Sequence, residues 1–269
     1  MNMMEKVSII IQARSGSSRL SQKAFAEVCG KPLLWHVIER AKLSKRISDI
    51  IVATTTRSED RAILELAKSC NVHAYAGSEE DVLQRYYEAA LKNGADVIVR
   101  MTGDCPLIHP PTVDAMIALL QEKKADYVCP DPRHRSLETG LEVFTMKTLR
   151  EMHEKAVENY QREHVTLYLR EHPESFKIAL HIPDQIFQRK DIRITVDYLE
   201  DLELIRIIYR ELYREGEIID LKKVVEFLDQ HPEFKDLNIH AKLSKANRLS
   251  ISDAISEKII RSVEKEKNG

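Results

Sequence analysis

Val7-Ser8-Ile9-Ile10-Ile11-Gln12-Ala13-Arg14-Ser15-Gly16-Ser17-Ser18-Arg19-Leu20-Ser21-Gln22-Lys23 is the stretch on which the fold turns. A short apolar run empties into small and basic residues. Such a run, bounded by turn formers, reads as a strand buried on both faces, here over residues 7–13. It is too short for a signal-peptide core and no small-residue cleavage site follows it.

Outward from that strand, apolar runs alternate with helical patterns. Residues 32–43 read as a helix, with Leu33, Leu34, Val37, Ile38 and Ala41 at helical spacing and Pro32 suited to the first turn. A strand is expected at 49–54, a helix at 58–69, a strand at 71–76 and a helix at 80–92 stopped by Gly94. Residues 95–101 carry Val97-Ile98-Val99 and read as a fourth strand. Continuous apolar strands separated by helices predict an α/β fold with a mainly parallel sheet covered on both faces. In such sheets, ligands bind beyond the carboxyl ends of the strands.

The second half is less regular. A helix is expected at 112–121, a short strand at 126–129, a loop at 130–137 and an edge strand at 141–144. Helices follow near 147–157 and 161–170, strands at 175–181 and 191–196, and helices at 199–213 and 221–229. Residues 1–235 read as the main domain. Beyond Pro232 the chain turns polar and lysine-rich, so 236–269 reads as a polar helical tail with a weak helical pattern at 251–263.

Composition excludes several classes. The chain has 269 residues, 43% hydrophobic and 31% charged, with a formal net charge of -2. A whole-surface polyanion binder needs a basic excess that is missing here, so phosphate recognition has to be local. Nor is there a basic stripe interleaved with aromatics, which argues against nucleic acid as a partner. No run approaches the roughly 20 apolar residues that span a bilayer, so no membrane association is expected. Cys29, Cys70, Cys105 and Cys129 contain no C-x-x-C pair, which fits a reduced cytoplasm better than a zinc site or a disulfide framework.

Three segments carry candidate chemistry. After the first strand, small residues let backbone N–H groups approach a ligand, while Arg14, Arg19 and Lys23 bring positive charge. A triphosphate needs both, although a solvated basic loop has the same composition. The segment is neither a Walker loop nor a G-x-G-x-x-G fingerprint. The fourth strand ends in Arg100-Met101-Thr102-Gly103-Asp104-Cys105-Pro106-Leu107, where Asp104 is placed to hold Mg²⁺ or merely to shape the turn. Arg193-Ile194-Thr195-Val196-Asp197 puts a second carboxylate before a helix, where a capping role competes. The two aspartates form a metal site only if the fold unites them.

Taken in order, these segments resemble the cytidylyltransferase superfamily that activates acidic sugars. That superfamily includes CMP-Kdo synthetases, acylneuraminate cytidylyltransferases and the spore-coat polysaccharide SpsF-type branch, which the chain matches best. The carriers are Ile11 to Leu20, Gly30-Lys31-Pro32-Leu33-Leu34, Ile51-Val52-Ala53-Thr54-Thr55 and Gly77-Ser78-Glu79-Glu80-Asp81-Val82-Leu83. They continue through Thr102 to Ile108, Arg162-Glu163-His164-Val165-Thr166, and Val196-Asp197 to Leu204, spanning roughly residues 7–210. One departure stands out: relatives usually carry a proline after the leucine of the nucleotide loop, and here Leu20-Ser21-Gln22-Lys23 has none. Losing that fixed φ leaves the loop freer before ligand arrives.

The resemblance implies a Rossmann-like, glycosyltransferase-A-type sheet with a small dimerisation or substrate insertion near 140–185, and a homodimer. It implies a Mg²⁺-dependent enzyme that joins CTP to an acidic, keto-acid type sugar, releasing pyrophosphate and a CMP-sugar for surface glycan synthesis. Ala13, Arg14, Ser15, Gly16, Arg19, Lys23 and Asp104 would bind the nucleotide, with an Ala53-Thr54-Thr55 turn near the base. Arg14, Lys23 and Asp104 would be catalytic, Asp104 and Asp197 would hold the metal, and Glu142 and His164 would meet the sugar. Glu142 as a solvent-facing strand residue and His164 as a packed helix residue are the plain alternatives. Trp35 reads as core. His134 with Arg133 and Arg135 reads as an exposed charge cluster before it reads as an anion contact. Open rivals are a glycosyltransferase that consumes a nucleotide sugar, an enzyme for another base such as GTP, and a catalytically silent nucleotide-binding protein.

Overall fold

The computed structural model describes residues 5–16, 19–134, 136–137, 140–238 and 249–268, so Arg135 lies outside the described residues. The first strand, β1 (Val7–Gln12), leads through a 3-10 turn (Lys23–Phe25) and a small hairpin, β2 (Glu27–Val28) with β3 (Lys31–Pro32), into α1 (Leu33–Ala41). Then come β4 (Asp49–Thr55), α2 (Arg61–Ser69), β5 (His73–Gly77), α3 (Val82–Asn93), β6 (Val97–Thr102) and α4 (Pro110–Lys123). The second half holds β7 (Tyr127–Pro130), β8 (Glu142–Thr145), α5 (Met146–Lys155), α6 (Asn159–Glu163), α7 (Leu167–Glu171) and β9 (Ile178–His181). It closes with α8 (Leu199–Leu212), α9 (Leu221–Gln230), α10 (Pro232–Lys235) and α11 (Leu249–Asn268).

The seven-stranded sheet has the order β5-β4-β1-β6-β8-β7-β9. Every neighbouring pair is parallel except the two made by β8, which runs against both β6 and β7. The mainly parallel, Rossmann-like sheet is the one the apolar strand runs predict. On one face Ile9, Ile11, Val52, Val99 and Met101 pack under α1, α2 and α4; on the other, Ile10, Ile51 and Ile98 pack with Tyr86 of α3, Leu149 of α5 and Leu169 of α7. A third cluster joins α8 and α9 to Ile192, Ile194 and Val196. Helix α11 lays Ile255, Ile259 and Val263 into the second cluster, against α7 and β9. Among the described residues, no helix is long and apolar enough to cross a membrane.

Four expectations need correction. Strand β8 is interior, not an edge: Val143 and Phe144 are fully buried between β6 and β7. Residues 191–196 pair with no strand among the described residues. Their alternating Ile192, Ile194 and Val196 are buried by docking on α8 and α9, so a period of two arises without a ladder. The helix expected at 161–170 breaks into α6 and α7 around Val165, whose φ of +22° is rare for a β-branched residue. Ala53, Thr54 and Thr55 form the end of β4 rather than a turn.

Candidate functional site

After β1 the chain crosses one face of the sheet to β4 and then steps outward to β5; α3 returns on the other face to β6, on β1's opposite side. The loops after β1 and β6 therefore diverge, which opens a crevice at their carboxyl ends. A cleft of about 1020 Å³ lies there, between those loops, the start of α3 and helix α6. Ligand clefts commonly measure about 300–1,000 Å³, so this one has room for more than one small substrate. Ala13, Arg14, Arg19, Lys23, Asp104 and His164 line it, together with Gln12, Arg85, Arg100 and Arg162.

The first wall is the loop after β1. Ala13 N–H donates to the Ala53 carbonyl (3.1 Å), which continues the ladder one residue past the strand. Ser15 N–H donates to Asp60 Oδ1 (2.7 Å), and the Thr55 hydroxyl donates to Asp60 Oδ2. Asp60 is 1% exposed. Burial opposes its charge, but the hydrogen bonds from Thr55 and Ser15 outweigh that and hold its pKa below the ordinary value. Ser15 thus anchors the loop with its N–H already committed. Thr54 and Thr55 sit buried behind it, and none of Ser15, Gly16, Ala53, Thr54 and Thr55 lines the cleft.

The loop after β6 comes in against this wall because residue 103 is glycine. A Cβ there would meet Ala13 Cβ and the Gln12 carbonyl oxygen at 3.1 Å. Gly103 N–H donates to that same carbonyl (2.9 Å), and the turn delivers Asp104 to the cleft. The extended segment before α8 is tied to it by Val196 N–H on the Asp104 carbonyl (2.9 Å).

The fold does unite the two distant aspartates. Lys23 Nζ donates to Asp104 Oδ2 (2.8 Å), Asp197 Oδ1 (3.3 Å) and the Val196 carbonyl (3.0 Å). Arg19 Nη2 reaches Asp197 Oδ1 (2.5 Å), and Arg193 Nη2 reaches Asp197 Oδ2 (2.6 Å). Burial would raise the Asp197 pKa; Lys23, Arg193 and Arg19 together push it well below the carboxylate range. Asp201, buried at the start of α8, accepts from Arg193 Nε (3.0 Å) and from the N–H groups of Asp197 (2.9 Å) and Tyr198 (3.0 Å). It fixes the turn that presents Asp197. Among the described residues, no three His, Cys, Asp or Glu side chains cluster around a metal position. Two carboxylates sharing one ammonium still suit Mg²⁺, which commonly takes one or two carboxylates and completes its shell with substrate phosphates and water.

The far wall is helix α6. Arg162 Nε donates to Asp81 Oδ2 (2.5 Å) and Nη1 to the carbonyls of His153 (3.1 Å) and Ala156 (2.9 Å), tying α6 to the N-cap of α3. His164 is exposed at the rim. Glu142 does not reach the cleft. It is buried beneath it, paired with Arg100 Nη1 (2.5 Å) and accepting from the hydroxyls of Tyr127 and Thr166 (2.9 Å). It is neither a solvent-facing strand residue nor a direct sugar contact, because a carboxylate on an interior strand must find its partners inside. His134 bonds to Gln188 and Arg133 to Asp131 and Glu264, so neither joins the site.

Sequence reading missed Asp60, Arg85, Arg100 and Arg162 as site residues. Arg162 lies in a quoted motif, and Arg85 stands one helical turn after Asp81 of another. Arg100 shares a strand face with Thr102 by simple alternation. Asp60 gave no such signal, because an acidic residue early in a helix is ordinary.

The model of the cytidylyltransferase family matches residues 8–226. The spore coat polysaccharide biosynthesis protein SpsF of Bacillus subtilis is 28% identical over 86% of this chain and 97% of its own. A 3-deoxy-manno-octulosonate cytidylyltransferase of Geobacter metallireducens is 38% identical over 43% of this chain and 44% of its own. Among solved structures, a cytidylyltransferase from Leptospira borgpetersenii superposes with a TM-score of 0.79 at 30% identity, covering 86% of this chain and 96% of that one. With a family match across most of its length and this strand order beneath it, the chain belongs to the cytidylyltransferase family.

Proposed function

We propose that the protein transfers the cytidylyl group of CTP to a hydroxyl of an acidic, keto-acid type sugar, with Mg²⁺, giving a CMP-sugar and pyrophosphate. The observation that carries this reading is the meeting of Asp104 and Asp197 on one ammonium, beside a loop bearing Arg14 and Arg19. The 3-deoxy-manno-octulosonate relative supports the keto-acid class, and the spore-coat relative supports a role in surface glycan synthesis.

Without ligand, the cleft's cations neutralise its own carboxylates. An arriving triphosphate carries several negative charges and offers Lys23 and Arg19 better partners. With those cations on phosphate oxygens, Asp104 and Asp197 would be the residues to hold Mg²⁺, whose positive charge would offset negative charge developing on the phosphates. The acceptor hydroxyl oxygen forms a bond to the α-phosphorus, the bond to the β-phosphate oxygen breaks, and the hydroxyl proton passes to solvent. Arg14, Arg19 and Lys23 stabilise the crowded phosphorus and the leaving pyrophosphate. Asp60 acts through Ser15, holding the loop that presents them.

A homodimer belongs to the same proposal. Val157 and Tyr160 are 78% and 48% exposed within residues 140–185, on either side of Asn159, which lines the cleft. A second copy seated there would cover apolar surface and wall the acceptor side. The four cysteines form no disulfide among the described residues and three of them are buried, which suits a reducing cytoplasm.

The test is a pyrophosphate-release screen of nucleoside triphosphates against keto-acid sugars, with and without Mg²⁺. Release with CTP and an acidic sugar is expected. Release only with GTP, or sugar transfer from a preformed CMP-sugar without pyrophosphate, would overturn the reading.

A further inference from the structure

Six cationic side chains line the cleft, and five of them have carboxylate partners. Arg14 pairs with Glu79, Arg19 and Lys23 with Asp197 and Asp104, Arg100 with Glu142, and Arg162 with Asp81. The sixth, Arg85, has none among the described residues, and at 2% exposed it is the most buried of them. Its Nη1 donates to the Ser78 carbonyl, while its Nε is buried with no hydrogen-bond partner among the described residues.

Arg85 does not stand alone on that floor. Tyr86, the next residue of α3, donates to the carbonyls of Ile10 and Met101 (both 3.2 Å) and feels the charges of both Arg85 and Arg100. Arg85 and Arg100 line the same cleft, and the charges of both act on that buried phenol. Arg100 Nε is also buried and unpartnered, as is Gln12 Oε1. Gln12, Arg100 and Thr102 share the sheet face that Ile10 and Ile98 present to α3. Residue 77 has to be small for this: a Cβ there would fall 3.1 Å from Arg85 Cγ and 2.9 Å from Tyr75 Cε1.

We propose that Arg85 and Arg100 form the subsite for the carboxylate of the acidic acceptor, with Gln12 beside it. This rests on the proposed function and names the residues that select the acceptor class. Asp60 and Glu79 act on Arg85 only from beyond ion-pair distance, against the charge of Arg14; a buried guanidinium with no carboxylate in contact is costly, and an anion that arrives with the substrate removes that cost. On the proposed function Arg14, Arg19 and Lys23, which follow β1, meet the triphosphate beside Asp104, whereas Arg85 comes from α3 and Arg100 from the face of β6 turned toward α3. Glu142 offsets Arg100 and leaves Arg85 over, with Arg170 adding positive charge behind Glu142. The planar fork of arginine matches a carboxylate with two parallel hydrogen bonds, which lysine cannot do.

The experiment uses the full chain with a non-hydrolysable CTP analogue and Mg²⁺, titrated calorimetrically with 3-deoxy-manno-octulosonate and with its primary amide. Arg85→Met and Arg100→Met should each weaken binding of the acid on the order of 10–100-fold, the loss expected for a charge-assisted bond. Arg85→Lys should fall between, and the amide should bind weakly and alike to all forms. The CTP analogue's own Kd should stay within about 3-fold of wild type, which also shows that the variants fold. If the wild type binds the acid and the Arg85 variants bind it as tightly, this assignment is wrong while the proposed function stands. A parallel loss of CTP affinity would move Arg85 to the nucleotide and overturn it too. A wild type that binds CTP but no acidic sugar would bring down both readings.

Discussion

Lys23 is the residue through which the site is wired, since one ammonium reaches Asp104, Asp197 and the Val196 carbonyl. If those carboxylates act on the triphosphate, Asp104→Ala and Asp197→Ala should each lower kcat by roughly 10²–10³, the usual loss when a charge-stabilising contact is removed. Circular dichroism should stay native, and near-normal turnover of either variant would remove the assignment. Asp60 leads to a different expectation. Asp60→Ala leaves Ser15 N–H and the Thr55 hydroxyl buried without an acceptor, which costs about 1–3 kcal/mol of stability for an unsatisfied group. A chemical denaturation curve should show that loss, together with a weaker CTP Kd, because the β1 loop is no longer held. Glu142, beneath the floor, should behave as a buried ion-pair member. Removing one partner of such a pair typically costs about 3–5 kcal/mol, so Glu142→Ala should register first in stability.

At the level of elements, apolar continuity made β1, β4 and β6 legible in the sequence, and spaced Leu, Ile and Ala did the same for α1 and α8. Segments whose partners are remote stayed illegible. Strand β8 read as an edge but is interior, and the cation that lets Glu142 be buried at its start is Arg100, 42 residues away. Residues 191–196 alternate like a strand, yet α8 and α9 bury them without a ladder. The candidate aspartates were readable as strand-end carboxylates; their meeting was a matter of topology, and Arg85 was hidden in an ordinary amphipathic helix. The C-terminal helix is a further case, since its weak polar pattern conceals one apolar stripe. Ile259 of α11 is 1% exposed against α7 and β9. Ile→Ala at a buried site usually costs about 2–5 kcal/mol, so Ile259→Ala should lower Tm by several degrees in differential scanning fluorimetry. An unchanged Tm would mean that α11 does not dock in solution.

For the whole molecule, the governing fact is that the carboxylates around Lys23 are satisfied internally in the resting cleft. Folded-state pKa values of Asp60, Asp197, Asp131 and Asp49 all lie below their ordinary values, and so does that of Glu142, despite burial. A depressed carboxylate contributes stability above its unfolded pKa, about 4, and loses that contribution as pH falls through the lower folded value. Tm should therefore hold from neutrality down to about pH 5 and drop steeply below about pH 4. The same internal pairing sets how ligands stabilise the fold. Mg²⁺ alone must displace Lys23 and Arg19 from Asp104 and Asp197 with no new partner for either cation, and should bind weakly. CTP alone draws the cations off but leaves two carboxylates facing each other and the phosphates. Only the two together satisfy Lys23, Arg19 and both aspartates, so their effect on Tm should exceed the sum of the separate shifts. A ligand at 100 times its Kd stabilises by about 2.7 kcal/mol, which for a chain of this size corresponds to roughly 5–10 °C. Additive shifts from Mg²⁺ and CTP would show that the carboxylates and the phosphate cations act independently, contrary to the geometry around Lys23.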